Sequence, residues 1–106
     1  MLLRHCTLAR NLPAILKAGL LCRKSQGRLS VVWLHAPAKS AWAAIHTVRR
    51  HGGRIEQTAV LEIQVPRRWL RKSKPGLWYA VRDIPPDRIK GLVNFSQLAA
   101  SPVAAA

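Results

Sequence analysis

Apolar positions along the chain change their spacing several times, and each change predicts an element. Residues 2–6 (LLRHC) read as a short extended segment. Leu12, Ile15 and Leu16 then recur at i, i+3 and i+4, one face of a helix. Asn11 stands as its N-cap, Leu12 and Pro13 occupy the first turn, and Gly19 supplies the stop. The polar stretch 23–28 (RKSQGR) is a loop with a turn at Gly27. Val31, Val32, Trp33 and Leu34 form a continuous apolar run, predicting a buried strand. Pro37 breaks this run and opens a second helix over 38–51, with Ala41, Ala44, Ile45 and Val48 as its apolar face. Arg49 and Arg50 suit the negative end of its dipole, and Gly52-Gly53 ends it.

Residues 58–65 alternate, with Ala59, Leu61, Ile63 and Val65 on one side and Glu62 and Gln64 on the other. Period two predicts a half-buried strand. Pro66 closes it, and RRWLRKSK over 67–74 reads as a basic turn or short helix with Trp69 and Leu70 inward. Further strands are expected at 77–81 and 89–95, joined by the turn IPPDR, while 99–106 lacks any period and predicts a disordered tail. The expectation is one α+β domain over 1–98.

Composition changes this picture in two ways. Hydrophobic residues make up 49% of the 106 positions, enough for one core. Against 18 Lys and Arg stand only 4 Asp and Glu, a net charge of +14. So few acids exclude mechanisms built on carboxylate clusters, such as two-metal sites and glycosidase pairs. The excess of cations points to a polyanionic partner: nucleic acid, an acidic membrane surface or a phosphorylated ligand. Cys6 and Cys22 lack the spacing of a disulfide framework, so reduced thiols are expected. A zinc set of His5, Cys6, Cys22 and His35 matches no finger or ribbon spacing. Asn11, Pro13 and Lys17 interrupt any signal-peptide core, and no apolar stretch approaches a membrane span. A soluble cytoplasmic protein, not bound to a membrane, is the expectation.

Three constellations carry candidate chemistry. His5 and Thr7, two apart on an extended segment, share a side and offer a donor/acceptor pair for a diol such as ribose. The bland alternative is a half-buried His bonded to backbone. Trp33, Trp42, Trp69, Trp78 and Tyr79 could each stack on a planar ring, although a Trp in such a place is more often core or cover. Arg67, Arg68, Arg71, Lys72 and Lys74, with Arg23, Lys24 and Arg28 in the earlier loop, form a basic set fitted to phosphates.

The order of these motifs resembles a known superfamily. HCTLARNLPAILKAGLL, residues 5–21, resembles the opening of the ADP-ribosyltransferases: H-x-T, then a short helix ending in Gly-Leu. Its Asn-Leu-Pro-x-Ile form is similar to DNA-modifying toxins of the DarT type. VVWLHAPAKSAWAAI, residues 31–45, resembles the aromatic-containing second strand and following helix. WYAVRDIPPDRI, residues 78–89, looks like the last strands of RNA 2′-phosphotransferases and poly(ADP-ribose) polymerases.

This resemblance implies a split, curved β-structure with two short helices, and a nicotinamide-nucleotide cleft that takes NAD. By position, His5 and Thr7 would hold the nicotinamide-side ribose and Trp33 would stack on nicotinamide. Asn11 would match a polar position of the first helix, and Lys39 lies near an Arg of the toxins. These transferases also use a late-strand Glu to stabilise the oxocarbenium-like transition state. The matching position here falls near Trp78, no Glu follows Glu62, and Glu56 is the remaining loop candidate for a catalytic partner to His5. RNA 2′-phosphotransferases do without that Glu but carry an additional N-terminal lobe. Two further readings stay open: a non-enzymatic, basic nucleic-acid-binding module on the same scaffold, and a structural piece of an RNA-rich assembly. RNA, DNA and protein targets are not separated by the sequence.

Overall fold

The computed structural model of the chain describes residues 1–24 and 29–94. The predicted turn at Gly27, the end of the last strand at Phe95 and the tail 99–106 lie outside them. Six strands form one open antiparallel sheet: β1 (Leu2–Leu8), β2 (Val32–His35), β3 (Thr58–Gln64), β4 (Leu70–Lys74), β5 (Leu77–Ala80) and β6 (Ile89–Asn94). Their order across the sheet is β4-β5-β2-β1-β3-β6. Two helices complete the α+β domain: α1 (Leu12–Ala18) and α2 (Ser40–His51).

The sheet is a sandwich filling between the two helices. On one face Leu3, Val32, Leu34, Leu61, Ile63, Leu70 and Ala80 join Leu20, Val65 and Ile84 in the core, with Leu12 and Ile15 of α1 packed against it. On the other face α2 lies across β1 and β3. Thr58 and Val60 are therefore as buried as Ala59 and Leu61. That explains why β3 opens on a continuous buried run and alternates only from Leu61 onward.

Three expectations need correction. Of the expected face Ala41, Ala44, Ile45 and Val48, helix α2 buries Ala44 and half-buries Val48, and its other buried residues are Ser40 and Ala43. Ala41 is exposed and Ile45 stands 40% exposed. Small residues let the helix lie close to the sheet, and a polar serine at the first contact hid the pattern. Residues 67–74 are neither a turn throughout nor a helix: a single 3₁₀ turn (Arg67–Trp69) leads into β4. As an edge strand with one flank in water, β4 needs little alternation, and its Lys and Arg guard the edge against further pairing.

The third correction concerns the expected split. The strands connect as one sheet, but the connection is uneven. β1 pairs with β3 along its full length, from Leu2↔Gln64 to Leu8↔Thr58. Between β1 and β2 there is a single register pair, Arg4↔His35. Beyond it no further register pair joins them, and this stretch, with His5 to Leu8 on one side and Val32 and Trp33 on the other, is the seam of the sheet.

Candidate functional site at the seam between the first two strands

His5 is the first residue past the Arg4↔His35 joint. Its Nδ1 lies 2.7 Å from the main-chain carbonyl of Trp33, where a ladder bond would otherwise run. A carbonyl oxygen only accepts, so the proton sits on Nδ1 and Nε2 keeps its lone pair. Burial lowers the imidazole below its ordinary 6.5, and the bond to Trp33 opposes that shift. The ring is thus neutral near pH 7, with one nitrogen anchored and the other an acceptor.

Strand alternation places Thr7 on the same side as His5. Thr7 is buried, and its Oγ1 accepts a hydrogen bond from Asn11 Nδ2 at 3.2 Å. Asn11 occupies the N-cap position of α1 but makes no side-chain cap bond, so the expected capping role is replaced by this tie to Thr7. His5, Thr7 and Asn11 therefore form one row.

Trp33 meets His5 through its main chain. Alternation turns its indole to the opposite side, where it stands 40% exposed beyond the reach of α2. There it tilts against its register partner Tyr79, ring centroids 5.3 Å apart at 55°. His5 and Trp33 are two walls of the seam, not neighbours on one surface. Lys39, before α2, packs its side chain over Gly76 in the β4–β5 turn.

The candidate acids lie elsewhere. Glu56 is exposed, 3.9 Å from Arg54 in its own turn. It sits in the 3₁₀ turn Ile55–Gln57, and Leu61, the register partner of His5, lies a further three strand steps, about 10 Å, beyond the start of β3 at Thr58. The structure does not bring it to His5. Glu62 lies in register with Arg4 and faces Gly91. Asp83 accepts the Cys22 N–H at 2.7 Å, and Asp87 is exposed in the turn Pro86–Arg88.

Sequence reasoning passed over what holds the joint. Arg4 Nη1 donates to Ser40 Oγ at 3.2 Å, and the Ser40 hydroxyl donates to the Pro37 carbonyl at 2.9 Å. His35 Nε2 lies 3.4 Å from the same hydroxyl. These groups tie β1, β2 and the start of α2 together beneath the seam. Burial, then the charges of His5 and Arg4, push His35 down to about 4. A cross-strand Arg–His pair beside an inward serine was the available signal.

Burial raises the Cys6 thiol, opposed by the neighbouring Thr47 and Thr58 hydroxyls; burial and then Asp83 raise that of Cys22. Among the described residues, no group of three His, Cys, Asp or Glu is placed to hold a metal ion.

The basic set is divided by the fold. Arg71 and Lys74 share register with Tyr79 and Leu77, on the Trp33 side. Lys72 is in register with Trp78 and sits over that ring, 5.4 Å from its centroid. Arg67 and Arg68 are exposed before Trp69, Arg23 and Lys24 are exposed in the turn Cys22–Lys24, and Arg28 lies outside the described residues. A pocket of about 250 Å³ opens at the far end of β1 between Arg10 and Gly52-Gly53, and none of the predicted site residues lines it.

No helix of the described residues is long and apolar enough to cross a membrane. No protein-family model and no curated protein matches the chain.

Proposed function

We propose that the chain is a small ADP-ribosyltransferase-like domain that binds a nicotinamide nucleotide at the β1–β2 seam, on or beside nucleic acid. The observation that carries this reading is the His5 ring: anchored by Nδ1 to the Trp33 carbonyl, neutral, with Nε2 keeping its lone pair and bonded to no partner among the described residues. An acceptor fixed in that way suits a ribose hydroxyl, and the Thr7–Asn11 pair extends the polar row along the same wall. The Trp33 indole, on the opposite face of the sheet, takes no part in this row, and Trp33 contributes its main-chain carbonyl alone. The net charge of +14 would draw a pyrophosphate-bearing ligand and a nucleic-acid target alike.

The test is thermal stabilisation by NAD. Millimolar NAD is expected to raise the melting temperature of the wild type, and His5→Ala is expected to lose at least three-quarters of that rise. Equal stabilisation of wild type and variant, or none of either, overturns the reading.

One observation favours a second reading. None of the four carboxylates hydrogen-bonds His5, so the usual stabiliser of an oxocarbenium-like transition state is missing from the His5 wall. A non-enzymatic nucleic-acid-binding module on this scaffold fits that fact. Salt-sensitive binding of RNA or DNA without any response to NAD would favour it.

A further inference from the structure

We infer that Trp69 is the centre of an arginine rack that binds the phosphodiester backbone of nucleic acid. The rack is built from three parts of the chain. Arg67 and Arg68 precede Trp69 in its 3₁₀ turn, closed by the Trp69 N–H to the Pro66 carbonyl at 3.0 Å. Arg82 follows β5, and its Cζ lies 3.6 Å from the Trp69 ring centroid, which is van der Waals contact. Arg88, in the turn Pro86–Arg88, approaches the same ring at 5.1 Å. Trp69 itself is half-buried and rests on the core.

A guanidinium held by its face against an indole keeps its N–H donors in its own plane, free to meet phosphate oxygens. The ring restrains a side chain that would otherwise lose conformational freedom on binding. Arg82 spends its Nε on the Asp83 carbonyl at 3.2 Å, which leaves its two terminal nitrogens. Asp83 and Asp87 adjoin Arg82 and Arg88 in the chain but pair with neither, since among the described residues the only ion pair is Arg54–Glu56, so two carboxylates stand against the four arginines.

One cation–π contact would suffice to pin a turn. Two on one ring, beside two further arginines, concentrate like charges that repel in the free protein, and an anion relieves that repulsion. Because Arg82 covers a Trp69 face, the rack offers guanidinium donors rather than a stacking surface for bases. It therefore reads the backbone, and single and double strands should serve equally.

This inference rests on the reading that the protein engages nucleic acid, and the experiment separates the two. A fluorescent 20-nucleotide single strand and the duplex of the same sequence are titrated by anisotropy from 50 to 300 mM KCl. Wild type is expected to bind both within a few-fold of each other, with affinity falling steeply with salt. The Arg82→Ala/Arg88→Ala double variant is expected to bind at least tenfold more weakly at 50 mM, with a log–log salt slope shallower by about 1 to 2. Trp69→Leu, which keeps both charges, is expected to weaken binding several-fold with a smaller change in slope. Should Trp69→Leu fail to fold, the double variant decides. Wild-type affinity and slope in the double variant overturn the rack and leave the nucleic-acid reading standing. A preference for the single strand above tenfold overturns backbone readout. No binding of either probe by wild type overturns both.

Discussion

Gly19→Ala is expected to destabilise the protein by at least about 3 kcal/mol, lowering its melting temperature by more than about 12 °C. Gly19 ends α1 with φ at +86°, a conformation in which an L side chain is strained. A Cβ added there would run into the main-chain carbonyl oxygen of Ile84, with the Ile84 carbonyl carbon 3.1 Å away. That carbonyl cannot retreat cheaply. It accepts the Leu20 N–H at 2.9 Å, and the Ile84 N–H returns a bond of 2.9 Å to Leu20. Both Leu20 and Ile84 are core residues, and two residues on the Cys22 N–H is bound by Asp83. Displacing Ile84 would loosen the docking of α1 and disturb the approach of the 82–88 segment to Trp69.

Gly52→Ala is the control. Gly52 also has a positive φ, +79°, but a Cβ there would meet nothing within 4 Å. Its cost should be that of the backbone conformation alone, about 1 kcal/mol. Urea unfolding of both variants measures the difference. Equal losses would contradict the close approach of Gly19 to Ile84.

The ends of α1 were readable because local rules set them: Pro13 in the first turn and Gly19 at the stop. The buried run of β2 and the alternation in β3 were readable for the same reason. What depends on chain segments meeting was not. β4 is a strand because β5 supplies its partner, and nothing within RKSK announces that. Ser40 faces the sheet because Arg4 and His35 wait there, across 36 and 5 residues. Within the candidate site, the H-x-T spacing correctly set His5 and Thr7 on one side of a strand. It could not show that Asn11 turns back to Thr7, that the Trp33 indole faces the other side of the sheet, or that Glu56 lies in the turn before β3. Arg82 and Arg88 escaped notice because each stands alone in sequence and only the fold stacks them on Trp69.

Acid should weaken the protein in a defined window. His35 is buried at 4% exposure, and its folded-state pKa of about 4 lies below the ordinary 6.5. Between those values the unfolded chain binds a proton that the folded chain refuses. The stability that His35 brings is therefore complete above pH 6.5 and declines as pH falls toward 4. The loss should be on the order of 3 kcal/mol by pH 4. His5, also lowered by burial, acts in the same direction. Urea unfolding at pH 7, 6, 5 and 4.5 should show the decline, and His35→Gln should remove more than half of it. An unchanged slope in that variant would place the sensitivity elsewhere. Protonated His35 would face Arg4 directly, so the one register pair joining the two halves of the sheet should be the first to give way.

The central claim is that His5 presents a neutral, unprotonated Nε2 in the seam to a nicotinamide nucleotide. Long-range ¹H–¹⁵N correlation of the histidine rings at pH 7, with and without NAD, addresses it directly. The expected result is an Nδ1-protonated His5 whose Nε2 resonance shifts when NAD is added and stays put when it is omitted. An Nε2-protonated ring, or a spectrum that saturating NAD leaves unchanged at His5, would contradict the account.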